Sequence, residues 1–426
     1  MRMTNLIATT LFFLFANTSF LFAQLKAVYF GELIDGQGKK IVHAVVIIDA
    51  DRIINVGAEK EISVPPNAEK IDLRSYTAIP GLIDAHTHIT FYWDRVAGSN
   101  PWGQLGSLGP IVTVFLAQEN ARKTLEAGVT TIRDLGSFDR MDFGLRDLIN
   151  RGAIIGPRMF VSGYGLHIGP SRRQPDPGQA DGIDEVQRVA RAAVAAGADW
   201  IKMYGSTGSA KDVTGFQTFT YEEMKAAAVV AHQAGKRIAI HSYGPDGARD
   251  AVKAGANTIE HATDMDEATL AEMSRLGIIY VPTIDHNRYY IAHKDEYGYG
   301  PADVANLNNY INRNLETVKK AIKAKVKIAM GSDAVFTGFG ENTRELEWFV
   351  KAGMTPEQAL RTATTTGAEM LGMENDLGAI APGYYADLVA VEGDPMKDIN
   401  VIIHNVKWVM KAGKVVIDKT KNTISK

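Results

Sequence analysis

The chain has 426 residues, a formal net charge of −3 and no cysteine, with 46% hydrophobic and 22% charged residues. This is an ordinary globular composition, and it excludes a disulfide framework, thiolate chemistry and a lipoprotein attachment cysteine. Without a basic arm or a strong net field, neither nucleic acid nor an anionic membrane surface is expected as a partner.

At the start of the chain, Arg2 precedes an apolar stretch from Leu6 to Phe22, and Ala23-Gln24 offers a small-residue cleavage point. That is the layout of a secretory signal peptide over residues 1–23. Thr9, Thr10, Asn17, Thr18 and Ser19 interrupt the apolar run, which favours a cleaved leader over a permanent span. The expectation is an exported chain, periplasmic or secreted, with no stable membrane span after cleavage and a net charge of −4 once Arg2 is gone.

The flanks Ala27–Ile71 and Asp387–Ile417 are rich in Val and Ile, with turn residues such as Asp35-Gly36 and Gly38. They read as short antiparallel strands. Neither flank has enough strands to bury a face alone, so the two are expected to pair into one small β-sandwich, residues 24–79 with 380–426. The middle, 80–379, is then an insertion within it.

A repeated phrase organises that middle. Amphipathic helices end in a small residue and Gly, then run into a β-rich strand: Ala127-Gly128 before Val129, Ala196-Gly197 before Trp200, Ala234-Gly235 before Arg237, Ala254-Gly255 before Thr258, Leu276-Gly277 before Ile278. Gly takes the left-handed conformation at the helix C-terminus, and a buried parallel strand follows. Strands are predicted near 80–88, 129–134, 158–163, 199–204, 237–241, 257–261, 278–283 and 326–331. Eight strands alternating with helices predict an α/β fold of the TIM-like (β/α)8 barrel type. A doubly wound sheet is the alternative, but no Gly-x-Gly-x-x-Gly follows the first strand.

The first predicted strand ends in Gly81-Leu82-Ile83-Asp84-Ala85-His86-Thr87-His88. Side chains at i and i+2 of a strand share a face, so the two imidazoles can grip one divalent ion without adding charge. The C-terminal ends of barrel strands are where such a fold keeps its chemistry. Read in order, those ends carry His86 and His88, Lys202, His241, His261 and Asp333. Each has a bland alternative: a satisfied core histidine, a lysine at a strand's wet end, an aspartate capping the next helix. Together they are the donor set of a two-metal centre. In the apolar context Ile201-Lys202-Met203, a desolvated amine that reacts with carbon dioxide would give a carbamate whose two oxygens can bridge two cations.

These motifs resemble the amidohydrolase superfamily over nearly all of the mature sequence, from Pro80-Gly81-Leu82-Ile83-Asp84-Ala85-His86-Thr87-His88 to Pro382-Gly383-Tyr384-Tyr385-Ala386-Asp387-Leu388. His241-Ser242-Tyr243-Gly244, Ile259-Glu260-His261 and Gly331-Ser332-Asp333-Ala334 are similar to the subgroup of secreted prolidase-like and Xaa-Arg/Lys dipeptidases and ochratoxin-type amide hydrolases. The resemblance implies that His86, His88 and Asp333 hold one ion, that His241 and His261 hold the second, and that carboxylated Lys202 and a hydroxide bridge them. Nitrogen and oxygen donors without thiolate favour zinc. Asp333 would take the water's proton and pass it to the leaving amine. A homo-oligomer is implied by the same resemblance.

Further candidates for substrate contact are Tyr243, beside His241; His167, in the loop Gly165-Leu166-His167-Ile168-Gly169; and His286 and Arg288, after the seventh strand. Tyr243 and His167 are also candidate catalytic groups that polarise the carbonyl. Phe91, Tyr92, Trp93 and Trp102 suggest an apolar wall in the first loop. The function expected is hydrolysis of a peptide-like C–N bond in a dipeptide or N-acyl amino acid. The alternatives are hydrolysis or deamination of a cyclic amide or heterocycle, imidazolonepropionase-like, and a non-catalytic scaffold on the same fold.

Overall fold

The computed structural model describes residues 25–105, 107–169, 177–206 and 216–421. The leader at 1–23 with its cleavage point, and the Pro170–Arg173 part of the third loop, lie outside the described residues. Among the described residues no helix is long and apolar enough to cross a membrane.

The N-terminal flank forms β1 (Lys26–Ile34), β2 (Lys40–Asp49), β3 (Arg52–Ala58) and β4 (Glu69–Pro80). Seven shorter strands follow in the middle of the chain: β5 (Leu82–Thr87), β6 (Val129–Asp134), β7 (Arg158–Val161), β8 (Trp200–Tyr204), β9 (Arg237–Ser242), β10 (Thr258–His261) and β11 (Ile279–Val281). The C-terminal flank adds β12 (Leu388–Val391), β13 (Val406–Lys411) and β14 (Lys414–Asp418).

The two flanks do pair. They make one seven-stranded sheet in the order β14-β13-β12-β4-β1-β2-β3, joined where β12 runs antiparallel to β4. One expectation needs correcting: β1 and β4 are parallel, not antiparallel. The other edge of β1 is already taken by β2, so the chain returns after β3 to the free edge and runs in the same direction as β1. Side chains of both flanks share one apolar cluster, including Phe30, Val46, Leu388 and Trp408, with the Phe30 and Trp408 rings meeting edge to face at 6.5 Å. Neither flank buries that face alone.

The middle strands form two parallel sheets, β5-β6-β7 and β8-β9-β10-β11, separated along the chain by helices such as Pro110–Glu126, Ile183–Ala195 and Tyr221–Gln233. The glycine punctuation holds: Gly255 (φ +95°) and Gly277 (φ +70°) close their helices in the left-handed region, a backbone conformation that is strained for other residues. The edges of the two sheets are linked by parallel bridges, Leu166 to Met203 on one side, and Tyr280 to Ile328 with Thr87 to Ala334 on the other.

The strand predicted at 326–331 is not a regular strand. Its backbone bonds to β11 through Lys327 and Ala329, to β5 through Met330, and to Thr362. Gly331 explains why the ladder stops: a Cβ there would lie 2.4 Å from Val281 and 2.9 Å from His86. Only glycine lets the chain come this close to both neighbours, and the chain then bends so that Asp333, at φ +52°, turns inward.

Candidate metal centre

His86 lies one residue before the end of β5 with its neighbours fully buried, and His88 follows one residue past the strand. Their Nε2 atoms stand 3.5 and 3.3 Å from the same Asp333 Oδ1. All three donor atoms lie within 4.8 Å of one another. Tetrahedral bonds of about 2.0–2.1 Å would space donors about 3.4 Å apart, so these separations suit a shared ion.

His241 and His261, at the ends of β9 and β10, have ring centroids 4.3 Å apart, and His261 lies 4.9 Å from His86. Three imidazoles have Nδ1 engaged by a fixed partner: His86 by Glu260 Oε2 at 2.8 Å, His88 by the Gly136 carbonyl at 3.1 Å, His261 by Thr283 Oγ1 at 2.7 Å. Donation from Nδ1 leaves Nε2 as the lone-pair atom, which is how a partner behind a ligand selects its tautomer. Lys202 is fully buried in β8, and among the described residues its Nζ has no hydrogen-bond partner. A buried amine so placed costs free energy unless something fills the gap. The donor set, its spacing and this orphaned nitrogen fit a metal centre.

Charge follows from burial. Burial, then the neighbouring Lys202 charge, push His86 down to about 4, so the Glu260 contact joins a neutral imidazole to a carboxylate rather than an ion pair. His241 and His261 are lowered well below the ordinary imidazole value, chiefly by burial. Burial also pushes Lys202 down to about 8, within reach of the neutral amine. Burial would raise Asp333, but His286, His86 and His88 outweigh it and hold the carboxyl well below its ordinary value.

Two carboxylates behind the cluster escaped the sequence reading. Glu260 is fully buried, takes the Arg133 guanidinium at 2.8 Å as well as His86, and is drawn down to about 2 because Arg133 and His86 overcome its burial. Arg133 in turn stacks on Trp200. Asp84 accepts from Ser332 N at 2.9 Å, Ser332 Oγ at 2.5 Å and Asn342 Nδ2 at 2.9 Å, tying β5 to the turn that carries Asp333. A signal was there: Asp84 is two residues from His86 on the same strand face, and Glu260 precedes His261 in an apolar strand.

The substrate-contact candidates separate. Tyr243 lies against His241 at 4.7 Å and His261 at 5.2 Å, inside the cluster. His286 places Nε2 3.4 Å from Asp333 Oδ2. Arg288 lines the same cavity as His286 and Asp333, where its guanidinium is held by the protein's own carboxylates, donating to Asp285 at 2.9 and 2.8 Å and to Glu341 at 2.5 Å. His167 Nδ1 meets the Gly165 carbonyl at 3.0 Å within its own loop. Phe91 stacks on His88 at 4.8 Å, and Trp93 and Trp102 join a cluster with Tyr290, Tyr297 and Phe336. Tyr92 instead reaches Glu119.

The family assignment rests on a match that spans most of the chain, since the Amidohydrolase family pattern fits residues 77–416. The chain belongs to this family. Among amidohydrolases it is 29% identical to ochratoxinase from Aspergillus niger over 92% of this chain and 87% of that protein. The structure of A. niger ochratoxinase superposes with a TM-score of 0.81 at 27% identity, covering 92% and 96% of the two chains. A Xaa-Pro dipeptidase with methionine in its active site matches at TM-score 0.82 and 31% identity, covering 92% of this chain and 99% of that one. A prolidase complexed with N-methylphosphonate-L-proline matches at 0.84 and 28%, covering 93% and 100%. This amidohydrolase is therefore a hydrolytic enzyme for amide C–N bonds, of the prolidase and ochratoxinase type.

Proposed function

We propose that the chain is a binuclear metal hydrolase that splits a peptide-like C–N bond and releases an amino acid from a dipeptide or N-acyl amino acid. The observation that carries this reading is Lys202 Nζ, buried without a hydrogen-bond partner among the described residues. As a carbamate it would offer two oxygens between the His86, His88 and Asp333 group and the His241 and His261 pair. The methionine and the proline analogue bound to two similar structures support an amino acid leaving group.

Two divalent ions, zinc by donor type, when bound supply Lewis acidity to the carbonyl and a nucleophilic water near neutral pH. The chain's own residues do the rest. Asp333, kept ionised by His286, His86 and His88, receives a proton and delivers it to the leaving amine. Tyr243 orients the substrate beside His241, and the Phe91, Trp93 and Trp102 wall keeps water out. The folding frame belongs to the same reading: the bridges at Leu166, Ile328 and Ala334 support closure of the parallel strands into a (β/α)8 barrel, 80–379, set in a β-sandwich of 24–79 and 380–426. Export by a leader at 1–23 is part of the proposal on its sequence layout alone.

The test is metal analysis of the mature protein together with a screen of dipeptides, N-acyl amino acids and cyclic amides. About two equivalents of metal and turnover of the acyclic amides are expected. Turnover confined to cyclic amides, or full activity after stripping the metal, would overturn the reading.

A further inference from the structure

Between β11 and the helix Ile284–Ala292 the chain turns on a single residue, Thr283, which is fully buried at φ +52° and ψ +44°. A β-branched side chain rarely adopts that conformation, and such outliers persist only where the surroundings hold them. Two contacts do so here. The helix has no side-chain cap from Thr283; instead the two carboxyl oxygens of buried Glu345 accept its first amides, Ile284 N at 2.9 Å and Asp285 N at 2.8 Å. On its other side Thr283 Oγ1 meets His261 Nδ1 at 2.7 Å.

The turn therefore serves two sides of the cluster at once. Its hydroxyl reaches the back of His261, and the helix it starts carries His286 to 3.4 Å from Asp333 Oδ2. In the extended conformation usual for threonine, the side chain would swing away from His261 and the helix would leave in another direction.

We propose that Thr283 is a positioning residue: its hydroxyl accepts the Nδ1 proton of His261 and so fixes the tautomer and ring plane that aim Nε2 into the centre, while its left-handed turn, clamped by Glu345, aims His286 at Asp333. The inference rests on His261 acting as a metal ligand. Partners of this kind behind a ligand change metal affinity about 10- to 100-fold when removed.

The experiment is a titration of the chelator-stripped full chain with Co2+, read by visible absorption, with melting temperature recorded in parallel. Thr283→Val keeps the branched shape and loses the hydroxyl, and is expected to weaken one Co2+ equivalent about 10- to 100-fold while its melting temperature stays close to the wild type's. Thr283→Ser keeps the hydroxyl and should restore wild-type binding. Binding by Thr283→Val as tight as wild type, or equal losses in Val and Ser variants, would overturn the proposal. His261→Ala separates the two levels of the argument. If it loses an equivalent while Thr283→Val does not, only the positioning role fails. If it binds as wild type does, the ligand reading fails and the inference with it.

Discussion

Asp333 sits where three imidazoles converge, with His86 and His88 on one oxygen and His286 on the other. One oxygen can serve a metal while the other handles a proton. Asn at 333 keeps the size and one oxygen but cannot take up a proton at useful pH. Asp333→Asn is expected to lower kcat by roughly two to four orders of magnitude with much of the metal retained, checked by steady-state kinetics beside metal analysis. Near-normal turnover would move the proton to another group. Lys202→Ala should abolish activity, and short-chain carboxylates added with metal should restore part of it by replacing the missing oxygens. Absence of rescue in a variant that still folds would count against the bridge. At this scale the His and Asp residues that the fold brings together were legible, because strand alternation and strand ends are local properties of the sequence. What stood behind them was not: Glu260 and Arg133 meet across 127 residues of chain, and no local pattern names a partner that far away. Arg288 has one partner of each kind, Asp285 three residues back in its own helix and Glu341 53 residues on.

Among the elements, the glycine-closed helices made the five strands that follow them, β6 and β8 to β11, readable to within a residue or two. The segment at 326–331 escaped because its geometry is set by the two neighbours pressing on Gly331 rather than by its own Val and Ile content. The helix Ile284–Ala292 depends on a borrowed cap, and that dependence has a pH signature. Burial pushes the Glu345 carboxyl up to about 8, against the lowering effect of the Asp285 and Ile284 amides. Between about pH 4.5 and 8 the unfolded chain has released this proton while the folded chain still holds it, so the folded state binds more protons and its stability falls as pH rises. Glu345→Gln lacks that titration. The melting temperature of the variant relative to wild type is expected to rise steadily from pH 5 to pH 8; a difference that is flat or falling with pH would show that Glu345 ionises normally in the folded protein.

For the molecule as a whole, the seam between the composite sheet and the parallel strands is held at Arg158. Its guanidinium donates to Asp387 at 2.6 Å and to Thr131 at 2.9 Å, and it faces the Tyr385 ring, whose other neighbour is Arg52. Asp387 is only 5% exposed. Arg158→Ala would leave that carboxylate buried without its cation, a loss of about 3 kcal/mol. Urea unfolding should report it as a lower midpoint, with metal content unchanged; a midpoint equal to wild type would mean the seam does not depend on this pair.

The pairing of β12 with β4 bears on how the molecule comes into being. Thr77 Oγ1 donates to the Gly393 carbonyl across 316 residues, and Asp84 reaches Ser332 across 248. During synthesis the first strands and His86 are made long before the partners that finish them: the cluster waits for Asp333, and the sheet cannot close until the last part of the chain has emerged. A chain stopped short of β12 should therefore present an open edge on β4, prone to adhere to other chains. Metal uptake then becomes a late event, one that waits for Asp333 and the turn that carries it.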